Sequence, residues 1–335
     1  MKTLFTLIFM AFICFPLLAQ KDTLKISDEE KLIGEIKGMD RGIITMSTDY
    51  SKDDFKIKWE DVQQVKTHSH FLISLSDGRR VNGNLTGVRG ENIHLLSGEA
   101  DIEIPFDDVV YLKQIKEDFW SKVYTSIDLG YNHTKANNLQ QFSIGGTLGY
   151  LTERWWIDMK YNDIRSSQDD AADVHRTDAN IGFRYFLPRE WFLLVDLSFL
   201  SNTEQNLDLR TLLKSGLGNY LVQTNHTYWG VTAGLAFNNE NFMGETPDKQ
   251  SLEAFASTEL NFFDVGDWSL LTNVSVYRSI TEDNRWRTDF SLDTNYDLPL
   301  NFYIRLGGSL NYDSQPAEDG SKSDYVIRTH FGWKL

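Results

Sequence analysis

Alternation between apolar and polar residues dominates the chain from about residue 118 onward. In ERWWIDMKYNDIR, residues 153–165, Trp155 and Ile157 fall on one face of an extended strand, whereas Asp158 and Lys160 fall on the other. A period of two indicates β-strands that are half-buried. The same pattern predicts twelve strands, at 120–133, 139–151, 155–165, 175–186, 190–202, 207–222, 227–239, 251–263, 267–280, 284–297, 301–313 and 323–335.

The connections between these strands alternate in length. The odd-numbered ones are mostly long and polar, such as HTKANN, RSSQDDAADV, NNENFMGETPDKQ and DSQPAEDGSKS, whereas LTER, LPRE, FDVGD and DLPL are short. Barrels of the bacterial outer membrane have an even number of antiparallel strands, long outer loops and short periplasmic turns. The pattern therefore favours a twelve-stranded transmembrane β-barrel in which the first strand starts, and the last strand ends, on the periplasmic side.

Aromatic residues recur at the short-turn end of the predicted strands. Each of them opens an odd-numbered strand or closes the last one: Trp120, Trp155, Trp156, Trp191, Trp229, Trp268, Phe302 and Trp333. Indole rings favour the boundary between membrane and water. We therefore predict an interfacial girdle at this level, which a soluble β-sandwich would have no reason to contain.

The middle of the apolar face of the predicted strands carries no charge, whereas the opposite face carries many charged residues. That face carries Asp128, Asp158, Lys160, Asp178, Arg184, Asp196, Arg210, Lys214, Glu253, Glu259, Arg287, Asp289, Asp293, Arg305 and Arg328. A Lys or Arg facing lipid at mid-membrane costs about 2–4 kcal/mol, so these side chains are predicted to line the lumen. A soluble β-sandwich would also have one apolar and one charged face, so this pattern does not distinguish the two folds. The alternating loop lengths and the aromatic girdle favour lipid, rather than a protein core, against the apolar face. Because hydrocarbon tolerates no open sheet edge, the last strand is expected to pair with the first.

Residues 20–116 contain an internal repeat of another kind. LKISDEEKLIGEIKGMDRGIITM aligns with ISLSDGRRVNGNLTGVRGENIHL, so that Gly34 matches Gly83. Two units, 22–67 and 70–115, each combine short alternating strands with turns that contain glycine. The pattern weakly resembles small barrels of the Sm-like or SH3-like type. A tandem, β-rich region of small-barrel type is therefore predicted to precede the large barrel, and to lie in the periplasm.

The first nineteen residues differ from the rest. Lys2 precedes the apolar run LFTLIFMAFICFPLLA, which is typical of a secretory signal peptide, residues 1–19. Cys14, the only cysteine, lies inside this segment, so the mature chain is expected to contain no disulfide, no cysteine nucleophile and no cysteine metal ligand. The net charge of −15 disfavours a nucleic-acid partner, which requires clustered bases.

Two stretches carry a family resemblance. SIDLGYNHTKANNLQQFSIGGTLGY, residues 126–150, and RTLLKSGLGNYL, residues 210–221, resemble the YdiY-like family of salt-induced outer-membrane proteins, a domain of unknown function. The resemblance covers residues 118–335. It implies an outer-membrane barrel, placed here at residues 117–335, and brings no catalytic residues. The final strand, YVIRTHFGWKL, is similar to the C-terminal signature that the barrel-insertion machinery recognises.

Catalytic motifs are sparse in this sequence. An outer-membrane lipid hydrolase would need a histidine base near the membrane boundary, for which His133 and His175 are the candidates. There is no G-x-S-x-G elbow and no H-E-x-x-H motif. Asp169, Asp170 and Asp173 could bind a divalent cation, but a solvated acidic loop is the simpler interpretation. We therefore expect no enzymatic activity, no cofactor and no metal site.

The sequence thus predicts an all-β protein of the outer membrane of a Gram-negative-type bacterium. Its expected role is structural, or concerned with envelope homeostasis such as the response to salt or osmotic stress. A narrow channel for small polar solutes or ions is the first alternative, and a lipid hydrolase is the second. The expected partners are outer-membrane lipid, the insertion machinery during biogenesis and a periplasmic partner of the repeat region.

Overall fold

The computed structural model describes most of the chain after the predicted signal peptide. The described residues are 21–27, 29–98, 100–115, 119, 122–135, 138–170, 172–203, 206–244, 247–265, 267–315 and 322–333. Residues 1–19, which are predicted to form a signal peptide, and Trp120 lie outside them. Within these ranges no helix is both long enough and apolar enough to cross a membrane.

The N-terminal region consists of ten short strands, arranged as two similar sets of five. The first set is β1 (Asp22–Lys25), β2 (Lys31–Asp40), β3 (Ile43–Ser47), β4 (Phe55–Lys58) and β5 (Gln64–Lys66). The second is β6 (Phe71–Leu75), β7 (Arg80–Val88), β8 (Asn92–Ser97), β9 (Ala100–Pro105) and β10 (Val109–Gln114). In each set a single turn of 3-10 helix, Trp59–Asp61 or Phe106–Asp108, joins the fourth strand to the fifth. The two sets correspond to the two units of the sequence repeat.

The two units build one closed barrel between them. Each fifth strand pairs with the first strand of its own unit, β5 with β1 and β10 with β6. Each also pairs with the second strand of the other unit, β5 with β7 and β10 with β2. With the β1–β2 and β6–β7 ladders, this closes a ring in the order β1-β5-β7-β6-β10-β2. The small-barrel class predicted from the repeat is confirmed, but the units share one barrel because their fifth strands bridge them.

A single hydrophobic core fills this N-terminal barrel. Trp59 and Phe106, the equivalent aromatic residues of the two units, stack at its centre with ring centroids 4.6 Å apart. The Trp59 indole Nε1 donates a hydrogen bond to the Phe106 carbonyl oxygen at 3.2 Å. The matched glycines Gly34 and Gly83 lie where strands cross closely, since a Cβ on either one would come within 2.0 or 2.2 Å of a backbone oxygen. The repeat in the sequence thus reflects the same packing requirement met twice.

Twelve longer antiparallel strands follow, each paired with the next along the chain. They are β11 (Val123–Thr134), β12 (Leu139–Leu151), β13 (Trp155–Ser167), β14 (Val174–Phe186), β15 (Trp191–Asn202), β16 (Leu207–Gln223), β17 (Thr227–Phe242), β18 (Lys249–Val265), β19 (Trp268–Ser279), β20 (Trp286–Asp297), β21 (Phe302–Asp313) and β22 (Ser323–Trp333). The predicted strand count and the antiparallel order are confirmed.

The two end strands of this sheet differ from the other ten. The expected ladder between β11 and β22 is not among the pairings of the described residues. Both strands are correspondingly open: Ile127 on β11 is 77% exposed and Ile327 on β22 is 75% exposed, whereas Leu213 on the interior strand β16 is 41% exposed. The twelve strands therefore form the wall of a barrel that has a seam between its first and last strands.

Candidate functional site

The outer face of the barrel wall is apolar and ends in aromatic rings on the short-turn side. Trp155, Trp191 and Trp268 are the first residues of β13, β15 and β19, and each occupies the outward position of its strand. Phe302 opens β21, Trp229 lies near the start of β17 and Trp333 ends β22. The indole nitrogens of Trp229 and Trp268 donate to the hydroxyls of Thr258 and Thr294 at 2.9 and 2.6 Å, so these rings are held in place by the neighbouring strand.

Trp156 departs from the predicted girdle. It follows Trp155 directly, so the pleat turns its side chain to the inner face. Its Nε1 donates to the Tyr124 hydroxyl at 2.6 Å, and its ring packs beside Leu151 and Ile115. The interpretation of Trp156 as an interfacial residue is therefore wrong, because adjacent residues of one strand cannot both face lipid.

The strand registers bring the fifteen predicted lumen residues to one face, and some of them form buried ion pairs. Glu253 on β18 is 1% exposed and accepts a hydrogen bond from Arg287 Nε on β20 at 3.0 Å. Arg210 on β16 donates through Nε to Glu240 on β17 at 2.7 Å. The Glu253–Arg287 pair spans the intervening strand β19, whereas Arg210 and Glu240 lie directly opposite each other on adjacent strands. The result is a cross-braced interior on the β16–β21 side of the barrel.

The remaining charges of this face are more loosely arranged. On β13–β16, Lys214 lies 3.4 Å from Asp196, which also accepts a bond from the Asn180 amide at 2.8 Å. Lys160 lies 4.0 Å from Asp158, with its side chain 65% exposed. Register places the others on the same inner face, without an ion pair to one another in the described ranges: Asp128, Glu259, Asp289, Asp293, Arg305 and Arg328. Asp178 instead bonds Arg176 on its own strand, with Nε–Oδ2 at 2.9 Å.

Two central members of the buried network were absent from the sequence-based set. Arg285, just before β20, is 2% exposed and donates to Asp313 at 2.6 Å and to Glu282 at 2.7 Å. Glu240, also 2% exposed, lies 3.9 Å from Arg285 and bonds Arg210. Glu240 falls one residue beyond the predicted end of its strand, so the pattern did not assign it to a face. Continuing the alternation past Asn238 would have placed it inside.

A cavity of about 570 Å³, lined by charged, polar and apolar side chains, lies along the other half of the barrel interior. Asp128, Lys160, Asp178 and Arg210 line it, together with the Asn180 amide. Its walls come from β11 to β16, the strands on which the charges are more exposed. The interior is thus braced on one side and holds a charged cavity on the other.

The histidine candidates lie at the long-loop end. His133 is exposed near the end of β11. His175 on β14 places its Nε2 2.7 Å from Asp163 Oδ2 and 3.2 Å from the Thr177 hydroxyl. A nucleophile relay needs the carboxylate on one ring nitrogen and the hydroxyl on the other, whereas here one nitrogen faces both. Across the described residues, no three His, Cys, Asp or Glu side chains are grouped to hold a metal ion.

The N-terminal barrel is seated on the short-turn end of the large one. Asn225, in the turn between β16 and β17, donates its amide to the carbonyl oxygens of Val109 at 2.9 Å and Asp107 at 3.3 Å. Leu72 and Ile115 pack against Leu151 at the end of β12 in a small apolar cluster. The N-terminal domain therefore covers the mouth of the barrel at the end that carries the aromatic rings.

The family profile described as "Protein of unknown function, DUF481" matches residues 127–334, which is most of the large barrel. The chain belongs to the DUF481 family. This agrees with the predicted membership of a barrel family of unknown function, and the fold of this DUF481 chain is a twelve-stranded antiparallel β-barrel preceded by a small closed barrel.

Comparison beyond the DUF481 family adds little. No curated protein matches the chain. Among solved structures, the NanC porin is similar to 64% of this chain and 99% of its own, at 9% sequence identity and a TM-score of 0.36.

Proposed function

We propose that this protein is a non-catalytic barrel of the outer membrane, with its N-terminal domain in the periplasm. Its role is structural or concerned with envelope homeostasis, of the kind that responds to salt or osmotic stress. Its natural surroundings are outer-membrane lipid and, during biogenesis, the barrel-insertion machinery. The proposal includes the absence of hydrolase activity, which the arrangement of His175, Asp163 and Thr177 supports.

The observation that carries this proposal is the double obstruction of the interior. Buried pairs such as Glu253–Arg287 and Arg285–Asp313 occupy the inner face of one half of the barrel wall. The N-terminal domain covers the short-turn mouth, where Asn225 bonds its backbone. An open pore usually keeps an excess of one charge at a constriction, whereas here opposite charges are joined. A barrel filled and capped in this way supports a structural role better than a transport role.

The same contacts support the proposed orientation. Short turns lie on the periplasmic side of outer-membrane barrels, and the N-terminal domain is seated on the short turns. The girdle of aromatic side chains at that level matches the periplasmic boundary of the outer membrane. A periplasmic domain fixed to the membrane in this way could contact another envelope protein, and crosslinking in intact cells that recovers no partner would count against that part.

Heat-modifiable gel mobility is the first test. The protein is extracted from membranes in mild detergent and compared with and without boiling. The proposal requires β11 and β22 to pair in the membrane, because hydrocarbon tolerates no open sheet edge. A shifted band is therefore expected for the unboiled sample, since a closed barrel resists unfolding by detergent until it is heated. Identical mobility, together with recovery in the soluble periplasmic fraction, would refute the proposed location.

Conductance in planar bilayers tests the role. The full-length protein is expected to give no stable unitary steps. Steady steps would favour the alternative of a narrow channel for small polar solutes, which the charged cavity between β11 and β16 supports. Replacing Lys160 with Gln would then change the ion selectivity of those steps. Replacing the exposed Arg79 of the N-terminal domain in the same way is the matched control.

A further inference from the structure

A second cavity, of about 540 Å³, lies at the junction of the two barrels. Its walls come from both: Arg80 on β7 and Lys113 on β10 belong to the N-terminal domain, whereas Arg184 on β14 belongs to the large barrel. Aromatic rings complete much of the lining: Tyr111, Tyr124, Trp156, Phe186, Tyr220 and Tyr228. The cavity is therefore bordered by cations and by flat apolar surfaces together.

Each of the three cations rests on an aromatic ring. The Arg80 guanidinium carbon lies 3.9 Å from the Phe186 ring centre, the Lys113 ammonium 4.5 Å from that of Tyr124, and the Arg184 guanidinium carbon 5.2 Å from that of Trp156. Such contacts attract a cation but leave its charge in place. These rings hold the charges at the cavity wall.

None of these three cations forms an ion pair with a carboxylate in the described part of the chain. Arg80 also keeps its Nε buried without a hydrogen-bond partner. Arg184 donates a hydrogen bond to the Tyr220 hydroxyl at 3.4 Å. This differs from the lumen network, where Arg285 and Arg287 are bonded to carboxylates. The three side chains are half-buried. A charge that is partly withdrawn from water and has no partner is costly, and a bound anion would supply the partner.

Carboxylates do border the cavity, namely Asp40, Glu190 and Glu259. Asp40 is paired with Arg41, the fourth cation of the lining, at 3.6 Å. The lining thus carries four cations and three acids, which leaves one positive charge in excess. Among the described residues, no ion pair joins these three acids to Arg80, Lys113 or Arg184, although Glu259 acts electrostatically on Arg184.

We propose that this junction cavity binds a small organic anion, a carboxylate carried on a flat apolar body. The anionic group would be held by Arg80, Lys113 and Arg184, and the body would lie among the tyrosine and tryptophan rings. Because the cations come from both domains, the ligand would also join the N-terminal domain to the barrel.

The electrostatic state of Arg80 supports this assignment. Burial lowers the pKa of Arg80 to about 10, and the opposing attraction of Tyr111, Tyr220 and Glu153 does not restore the usual value. Burial likewise lowers the pKa of Lys113. Both shifts are those of cations without sufficient compensating charge, and a bound carboxylate would raise both pKa values again.

Isothermal titration calorimetry of the full-length protein in detergent, at low salt, tests the proposal. The probes are benzoate, inorganic phosphate and benzyl alcohol, the last being a neutral relative of benzoate. Benzoate is expected to bind saturably, phosphate to bind at least tenfold more weakly and benzyl alcohol to give no saturable heat. Absence of benzoate binding up to about 10 mM, far above useful affinities, would overturn the proposal.

Variants locate the site. R80Q and K113Q are each expected to weaken benzoate binding at least tenfold. R79Q is the matched control, because Arg79 is the neighbouring residue but is exposed and bonded to Asp77. Since R80Q removes a contact between the domains, its heat-modifiable gel mobility is measured as a check that the variant is folded. K113Q tests the same site through a residue on another strand. Equal loss in R79Q, or unchanged binding in K113Q, would contradict the assignment, and equal affinity for phosphate would refute the organic character of the ligand.

Discussion

Replacing Arg287 with methionine gives the sharpest test of the braced interior. Arg287 is the partner of Glu253, whose side chain is 1% exposed to solvent. After the substitution the Ser251 hydroxyl, 3.1 Å away, is the remaining donor to that carboxylate among the contacts described. Breaking a buried pair by removing one partner costs about 3–5 kcal/mol, because the other charge is left uncompensated. We therefore expect the free energy of unfolding to fall by about that amount.

The assay is urea unfolding of the protein in lipid vesicles, followed by tryptophan fluorescence. R287M is compared with E253Q and with the double variant R287M/E253Q, so that the coupling between the two side chains is measured directly. The double variant should lose less than R287M alone, since it leaves no buried carboxylate. R79Q, which opens an exposed pair in the N-terminal domain, should change the free energy by less than about 1 kcal/mol. A loss below about 1 kcal/mol in R287M, or a double variant as unstable as R287M, would show that the interior is hydrated rather than braced.

Three further changes probe the N-terminal domain and its contact with the barrel. Trp59→Ala should lower the free energy of unfolding by about 3–5 kcal/mol in a urea titration, because it empties the centre of a well-packed core; Tyr50→Ala, at a site 65% exposed, is the control, and a similar loss in both would argue against a specific core effect. Asn225→Ala removes both hydrogen bonds that the Asn225 side-chain amide donates to the N-terminal domain, at a cost of about 1–3 kcal/mol. The variant should be cleaved faster by protease between β10 and β11. An unchanged rate would mean that the apolar cluster alone holds the domain against the barrel. Gly34→Ala should lower the melting temperature measured by circular dichroism, since the new Cβ would lie 2.0 Å from the Ser47 backbone oxygen. Gly146→Ala, where the nearest atom is 3.7 Å away, is the control and should leave the melting temperature nearly unchanged. Equal melting temperatures of the two variants would count against this packing.

The strands of the large barrel could be predicted closely from the sequence. Alternation is a local property, and the turn residues that interrupt it are local too. The predicted strand 155–165 corresponds to Trp155–Ser167, and the predicted strand 207–222 corresponds to Leu207–Gln223. The inner and outer faces could be predicted from the same alternation, because odd and even positions of a strand lie on opposite faces. A shift of one residue would reverse the face of every side chain in that strand.

The candidate site could be predicted only in part. Alternation places Arg287 and Glu253 on the inner face, but it does not say that they meet, since they lie on strands two apart. The girdle prediction is wrong at Trp156, because the residue next to the outward-facing Trp155 must face inward. The cations Arg80 and Lys113 gave no signal at all, since their environment depends on how the two barrels are seated on each other.

The N-terminal domain shows a different limit. Its repeat indicated two units of five strands, and the five strands of each unit are present. Which strands would pair was not encoded in any local pattern, and the fifth strands β5 and β10 proved to bridge the units. Repeats of equal length are compatible with separate barrels and with a shared one, and the shared core around Trp59 and Phe106 distinguishes them.

That bridging has a consequence for how the domain can be divided. Because β5 and β10 each hydrogen-bond to the partner unit, neither unit alone contains a complete ring or a complete core. The chain passes from the first unit to the second through the short link between Lys66 and Phe71. A chain severed at that link should therefore yield two halves that are each unfolded in isolation and that reassemble when mixed. The domain would then act as a split reporter, with recovery of its structure signalling that its two halves have met.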